Sequence, residues 1–386
     1  MYIKQYRFIY PMKVCYFGTY REKYSRNKIM IAALRIAGAE VKECHVTLWH
    51  GIKDRVDVTV GGWKSPRFWW RVIRAYVQLI WKYFKVGDYN VMMVGYPGHF
   101  DVFLAKILVF FSRKPLVWDV FMSLYLVSLE RNLDQQSQFS VNLLKKIEAR
   151  ALRLPDLLIQ DTVEYVNWFQ RVYGISPEKF RLIPTGADDR IFKPVTFQSD
   201  KSDGLFHVLY YGTFIPNHGI RIIVGAAELL RDEKGIIFEL IGDGPERKVA
   251  EEIVKETNLK NVKFIEWMDQ KNLIQYINRA DVCLGAFGDT LQSLMTVQNK
   301  IYECMAMGKT VITGDSPVIR GEFTQFTDLI ISERNSISLA GAITLLKGHP
   351  EIRKKISMNS FLKFKENYSL ICIGKKMIAF LEKCRH

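Results

Sequence analysis

An ammonium and a carboxylate one helical turn apart stand in the segment Asn299-Lys300-Ile301-Tyr302-Glu303-Cys304-Met305-Ala306-Met307-Gly308. On a helix, Lys300 and Glu303 share one face in the first turn, backed by the apolar Ile301, Cys304 and Met305. A carboxylate so placed accepts two sugar hydroxyls, while an ammonium beside a helix N-terminus adds to a positive field for phosphate. The same spacing fits an exposed ion pair contributing only a few tenths of a kcal/mol, and spacing leaves both readings open.

Three glycine segments look like phosphate loops. Gly308-Lys309-Thr310 ends like a Walker loop, but Glu303 stands where its leading glycine belongs and a helix precedes it rather than follows, so it is not one. Gly242-Asp243-Gly244 follows a strand pattern and opens a helix, with Arg247 in place of the third glycine of a dinucleotide fingerprint. Tight turns alone explain both glycines, though backbone N–H groups at a helix start also receive anions. Tyr211-Gly212-Thr213 likewise ends a strand at a small residue that permits close ligand approach.

The elements that must hold these residues alternate along the chain. Strand patterns at Lys13–Phe17, Val41–His45, Val91–Val94, Leu116–Asp119, Leu157–Gln160 and Phe180–Ile183 are separated by helical ones, as in βαβ units with a parallel sheet. A second series predicts strands at 206–211, 236–241, 262–265, 282–285, 310–313 and 328–331, with helices near 219–231, 245–257, 270–278, 299–307 and 336–347. The fold class is therefore α/β, with two Rossmann-like doubly wound domains whose facing sheets would enclose a cleft. The expected boundaries are 1–190 and 204–368, with a polar linker at 186–204 and a basic helical tail at 369–386 packing back on the first domain.

The length of 386 residues suits two or three such domains, and 48% apolar with 25% charged residues is the usage of a globular protein, excluding disordered and collagen-like chains. The formal charge is +15, and nearly all of the excess precedes residue 195. Such a field attracts nucleic acid, anionic membranes or phosphorylated substrates. Nucleic acid is disfavoured, because no helix-turn-helix, zinc finger or RNP-like strand accompanies the basic residues. Within Pro66–Lys85, Arg67, Arg71, Arg74, Gln78, Lys82 and Lys85 recur on one narrow helical face, and Trp69, Trp70, Trp81 and other apolar residues fill the rest. This pattern fits either an interfacial membrane anchor or a core helix with one solvated side.

Other chemistries lack their residues. No Asp-x-Asp, Gly-x-Ser-x-Gly, His-Glu-x-x-His or kinase set occurs, and neither the seven histidines nor the six cysteines fall at metal-ligand spacing. No metal site is expected. The opening Met1-Tyr-Ile-Lys-Gln-Tyr-Arg7 lacks the apolar core of a signal peptide, and no apolar run approaches a membrane span, which together fit a cytoplasmic location.

At these residues the sequence resembles the GT-B-fold glycosyltransferases of family 4. The resemblance runs through Tyr211-Gly212-Thr213-Phe214-Ile215-Pro216-Asn217-His218-Gly219, Leu240-Ile241-Gly242-Asp243-Gly244-Pro245 and Asn299-Lys300-x-x-Glu303 to Thr313-Gly314-Asp315-Ser316-Pro317. Tyr16-Phe17-Gly18-Thr19-Tyr20, Tyr24-Ser25-Arg26-Asn27, Asp119-Val120-Phe121-Met122-Ser123-Leu124-Tyr125 and Ile183-Pro184-Thr185-Gly186-Ala187-Asp188 look similar to the branch found in bacterial surface-polysaccharide pathways. The resemblance implies a retaining, metal-independent and cofactor-free enzyme. Such an enzyme moves a sugar from a nucleotide diphosphate donor to a glycan or lipid-linked acceptor at an anionic membrane surface, peripheral on the inner face.

It further implies that Glu303 holds the nucleotide ribose and that Lys300 faces the donor phosphates. Gly212 and Thr213 would approach the diphosphate, His218 would lie in the donor site, Gly242 and Gly244 would line the nucleotide pocket, and Gly18 would open the first-domain loop. Asp119, at the end of a first-domain strand, is the candidate for positioning the acceptor hydroxyl, its structural alternative being a buried carboxylate that caps local backbone. Acceptor and membrane contacts would come from Arg67, Trp69, Trp70, Arg71, Arg74 and Trp81. Met295 replaces the first glutamate of the family's E-x7-E element, Gln298 stands where many relatives have proline, and His218 where they have a basic residue. Two alternatives follow, a nucleotide-binding pseudo-enzyme and a nucleotide-sugar epimerase.

Overall fold

The computed structural model describes residues 11–48, 65–194 and 203–384. The opening Met1–Arg7, the middle of the expected linker at 195–202 and the last two tail residues lie outside the described residues. The chain divides into two compact units. One comprises Met1–Asp161, Val166–Ile183 and Leu370–His386, the other Thr162–Tyr165 and Pro184–Ser369.

Strands β1 (Lys13–Gly18), β2 (Glu40–His45), β3 (Val91–Val94), β4 (Leu116–Asp119), β5 (Leu157–Gln160) and β6 (Phe180–Leu182) form the first unit's parallel sheet, in the order β2-β1-β3-β4-β5-β6. Strands β3 and β4 are buried at every position, which is why they read as unbroken apolar runs; helices cover both faces of such a sheet. The helices are α1 (Ser25–Ile36), α2 (Pro66–Phe84), α3 (Asp101–Ser112), α4 (Leu124–Glu130), α5 (Leu133–Gln136), α6 (Gln138–Ala151) and α7 (Val163–Tyr173).

The basic aromatic helix α2 is not a core helix. Only Ala75 and Leu79 are buried, while Trp70 and Trp81 remain 69% and 68% exposed. It runs beside α3: Tyr76 donates to Asp101 at the start of α3 (2.8 Å), and Tyr83, Tyr89 and Ser112 at its end are linked hydroxyl to hydroxyl at 3.0 Å. Helix α3 exposes Ile107, Phe110 and Phe111 in its turn.

The second unit carries β7 (Phe206–Tyr211), β8 (Ile236–Ile241), β9 (Val262–Ile265), β10 (Val282–Leu284), β11 (Thr310–Gly314) and β12 (Ile330–Ser332), all parallel, in the order β12-β11-β10-β7-β8-β9. Its helices are α8 (Ile220–Leu229), α9 (Arg247–Glu256), α10 (Gln270–Arg279), α11 (Leu291–Met295), α12 (Asn299–Ala306), α13 (Pro317–Glu322) and α14 (Ser336–Gly348). Alternate strand residues feed two cores: Val208 and Tyr210 pack with α8 and α14, Leu209 and Tyr211 with α12. Strand order reverses between β7 and β10, the switch point beyond whose C-terminal ends ligands bind in open parallel sheets.

Two further helices follow, α15 (Pro350–Asn367) and α16 (Leu370–Lys383). In α16, Leu370, Ile373, Met377, Phe380 and Leu381 join Ile29, Met30, Ala33 and Leu34 of α1 in the first unit's core. Gly374 makes that packing possible, since a Cβ there would stand 2.0 Å from the Ala33 carbonyl oxygen.

The expected domain boundaries need correction. The division falls after Ile183 rather than at 190, and Ala187 and Phe192, assigned to the linker from their polar surroundings, are buried in the second unit's core. Chain that buries apolar side chains is packed structure, so 184–194 is part of the second unit.

Candidate functional site

At the C-terminal end of β7 the backbone turns at Gly212, with φ of +143°, and the loop after β8 nests against it. A Cβ on Gly242 would lie 2.0 Å from the Gly212 carbonyl oxygen, and one on Gly244 would lie 2.5 Å from that of Phe214. Both glycines therefore serve backbone packing, and they bring the strand ends close enough to form one floor.

Lys300 reaches this floor from the first turn of α12. Its side chain is 6% exposed, its Nζ has no hydrogen-bond partner, and it lies 4.0 Å from the centroid of the Tyr210 ring. Gly212 leaves it room: a Cβ there would come within 3.0 Å of Nζ. Burial lowers the Lys300 pKa to about 7, against the smaller opposing pull of Cys304 and Glu303. An ammonium over an aromatic face, with no anion in contact, is a ready counter-ion for an incoming phosphate.

Glu303, one turn on, accepts a hydrogen bond from the Tyr211 hydroxyl at 2.7 Å. Burial raises its pKa, opposed by that hydrogen bond and by Lys300. The surface ion-pair reading fails, because Lys300 is buried and unpaired while Glu303 is bound to a tyrosine. The carboxylate keeps acceptor capacity for further hydroxyls.

His218 also borders Gly212, its Cε1 3.6 Å from the position a Cβ would take there. Its Nδ1 lies 2.6 Å from the Thr213 carbonyl oxygen and 2.9 Å from the Tyr210 hydroxyl. Burial, then the Lys300 charge, lower its pKa to about 3, so the imidazole is neutral at physiological pH. Thr213 contributes through its backbone, its side chain being exposed. A cavity of about 250 Å³ beside this turn is lined by Pro216, Gly219, Arg221, Glu246, Phe287 and Arg334, but by none of Gly212, Lys300 or Glu303.

The structure thus brings Gly212, Thr213, His218, Gly242, Gly244, Lys300 and Glu303 together in the second unit. Sequence reasoning passed over Tyr210 and the hydroxyl of Tyr211, which orient Lys300 and Glu303; their signal was two tyrosines immediately before the strand-ending glycine.

In the first unit, two expectations change. Asp119 is fully buried and ion-paired with the equally buried Arg26, whose Nε and Nη2 donate to it at 2.9 and 3.0 Å while Nη1 donates to the Ile183 carbonyl. A carboxylate closed off from solvent in this way is a structural tie and does not position an acceptor hydroxyl. Beside Gly18, with φ of +133°, the Thr19 N–H donates to Asp101 Oδ2 at 2.6 Å, and a Cβ on Gly18 would stand 2.6 Å from the same oxygen. The glycine is required by Asp101, and the neighbouring N–H is engaged by that carboxylate rather than open to a diphosphate. Arg67, Trp69, Trp70, Arg71, Arg74 and Trp81 all lie on α2, the helix whose Tyr76 donates to the same Asp101 carboxylate.

Met295, at the position of the family's first glutamate, is buried at the end of α11. Among the described residues no group of three or more His, Cys, Asp or Glu side chains is arranged to hold a metal ion. No helix among them is long and apolar enough to cross a membrane.

Comparison with known proteins adds the following. Residues 206–347 match the family model described as glycosyl transferases group 1. A lipopolysaccharide core biosynthesis glycosyltransferase, LpsD, of Rhizobium meliloti is 25% identical over 154 residues, 39% of this chain and 42% of that protein, so the match spans under half of the relative's length. Among solved structures, HepE of Anabaena in complex with UDP superposes with a TM-score of 0.70 at 15% identity, covering 97% of this chain and 100% of that one. Sucrose-phosphate synthase of Thermosynechococcus elongatus gives a TM-score of 0.71 at 16% identity, covering 96% and 98%. The chain has the fold of these GT-B proteins.

Proposed function

From the match of residues 206–347 to the glycosyl transferases group 1 model, we propose that this chain transfers a hexose from a nucleotide diphosphate donor to a hydroxyl acceptor. The observation that carries the proposal is Lys300, a buried cation without a hydrogen-bond partner, at the ligand-binding end of the second sheet. Lys300 takes the donor diphosphate, Glu303 accepts ribose hydroxyls, Gly212, its own N–H bonded to the Ile241 carbonyl oxygen, gives the phosphates room to approach beside Thr213, and Gly242 and Gly244 shape the nucleotide floor. HepE, of the same fold, has been solved with UDP and with UDP-glucose, which supports a nucleotide-sugar donor.

Negative charge grows on the bridging oxygen of the diphosphate as the glycosidic bond breaks. A preorganised ammonium in a dry site lowers that barrier without a metal, and this is the basis of the metal-independent reaction we propose. With retention of configuration and no covalent intermediate, the departing phosphate oxygen receives the proton of the acceptor hydroxyl.

The acceptor we propose is a glycan or lipid-linked glycan of the cell surface, as the name of the LpsD relative suggests. Helix α2 supports work at the inner face of a membrane. Its outward side carries Trp69, Trp70, Ile73, Val77, Trp81 and Phe84, flanked by Arg67, Arg74 and Lys85, with no acidic residue between Pro66 and Phe84. Aromatic rings with a cationic border match the headgroup layer of an anionic bilayer.

The buried Met295 favours one competing reading, nucleotide binding without transfer. The donor site itself is tested by thermal unfolding with a panel of nucleotide sugars. A ligand at 100 times its dissociation constant adds about 2.7 kcal/mol of stability. The expected result is a shift with one donor that Lys300→Met abolishes; no shift with any donor overturns the proposal.

A further inference from the structure

The imidazole of His218 is neutral beside the Lys300 ammonium, and its hydrogen bonds fix what it can do. At 2.6 Å from the Thr213 carbonyl oxygen, Nδ1 must carry a hydrogen, since two lone pairs at that distance repel. The Tyr210 hydroxyl, 2.9 Å from Nδ1, donates to the same carbonyl at 3.1 Å and does not need the nitrogen as an acceptor. The Tyr210 ring packs edge-on against the imidazole, with centroids 6.2 Å apart, and takes the Lys300 ammonium on its face. A second proton on the imidazole would sit beside that ammonium. The tautomer is therefore Nδ1–H, and Nε2 presents a lone pair.

A bare nitrogen lone pair repels phosphate oxygens and accepts from hydroxyls. We propose that His218 Nε2 accepts a hydrogen bond from a hydroxyl of the donor's sugar, next to the diphosphate held by Lys300, making His218 a specificity-determining residue. This rests on the donor-site reading above. Lys300 and His218 both border the space over Gly212, where a Cβ would lie 3.0 Å from Lys300 Nζ and 3.6 Å from His218 Cε1. Phosphate is then held by Lys300, while the histidine separates a glycosylated nucleotide from a bare one.

The test is calorimetric titration of wild type, His218→Ala, His218→Gln and His218→Lys with UDP, GDP and ADP, and with UDP-glucose, GDP-mannose and ADP-glucose. In wild type, the sugar nucleotide of the preferred base binds more tightly than its diphosphate by about fivefold, the measure of one neutral hydrogen bond. His218→Ala removes that preference and keeps diphosphate affinity within about twofold, whereas His218→Gln, which still offers an acceptor oxygen, restores part of it. His218→Lys raises diphosphate affinity and erases the preference. The advantage of wild type over His218→Ala for the sugar nucleotide stays flat from about pH 5 to 8, because ligand ionisation and Lys300 are common to both proteins and the imidazole does not titrate there. Loss of diphosphate affinity in His218→Ala, or a wild-type advantage over His218→Ala for the sugar nucleotide that changes near pH 6.5, overturns the assignment. Wild type that binds no diphosphate at all overturns the donor site itself, a separate outcome.

Discussion

The ammonium of Lys300 lies 4.0 Å from the centroid of the Tyr210 ring, buried and with no carboxylate bound to it. The next residue on the strand, Tyr211, directs its hydroxyl to Glu303. Two adjacent tyrosines at one strand end thus hold apart a cation and an anion that the sequence spacing would let pair. A buried cation left unneutralised in this way costs stability, and the diphosphate of the proposed function would relieve that cost.

That cost has a pH signature. Burial lowers the Lys300 pKa to about 7 from its ordinary 10.5, so between these values the unfolded chain binds more protons and stability rises with pH. Below about pH 7 the penalty is present in full. Urea unfolding is expected to show Lys300→Met more stable than wild type near pH 6, with the gap narrowing toward pH 10. A gap that does not change with pH would remove the buried-charge explanation.

Binding carries the opposite signature. A diphosphate beside Lys300 restores the ammonium, so binding near pH 8 takes up a proton and affinity falls as pH rises above about 7. Titrating a nucleoside diphosphate in two buffers of different ionisation enthalpy measures that uptake directly. Uptake close to zero would mean that Lys300 is already charged or does not meet the phosphate.

Glu303→Ala is expected to abolish donor binding while the chain still folds. Tyr211→Phe frees the carboxylate without removing it and should weaken binding by about tenfold or less, the scale of one hydrogen bond to a charged group. Donor titration and circular dichroism of both variants check this. Unchanged donor affinity in Glu303→Ala contradicts its role.

The Arg26–Asp119 tie is expected to behave as a structural pair. Asp119→Asn or Arg26→Met leaves a buried charge uncompensated and should cost about 3–5 kcal/mol in urea unfolding, while Arg26→Met combined with Asp119→Leu recovers part of the loss. A single variant of normal stability would reopen a functional role for Asp119.

For the membrane, replacing Trp69, Trp70 and Trp81 by Ser should lower sedimentation with anionic vesicles, and raising salt should weaken what remains. Phe110→Ser and Phe111→Ser on the neighbouring helix should lower it further, both rings being more than 70% exposed. Equal sedimentation of all forms removes the anchor.

The sheets were largely legible because strands buried on both faces are short apolar runs with sharp ends. β3, β4, β5, β7, β8 and β9 begin and end where the residue pattern puts them. Helix α15 escaped notice, since only Ile356, Ser360 and Phe364 are buried and a stripe that narrow has little periodicity to detect. The pairing of Lys300 and Glu303 on one helix face was readable from spacing, but their separation was not, because it depends on Tyr210 and Tyr211 about ninety positions earlier. Asp119 was misread for the same reason: its partner Arg26 lies 93 residues away, and no local pattern announces a fully buried ion pair. The neutral state of His218 likewise depends on the neighbouring Lys300 charge and on burial, both properties of the folded chain.

The most direct measurement follows sugar-nucleotide consumption by the purified chain with and without a lipid extract as acceptor, alongside Glu303→Ala. Release of nucleoside diphosphate and labelling of the lipid fraction, dependent on the extract and absent in the variant, is the predicted result. Donor interconversion without acceptor, or donor binding with no transfer to any acceptor, would contradict the account.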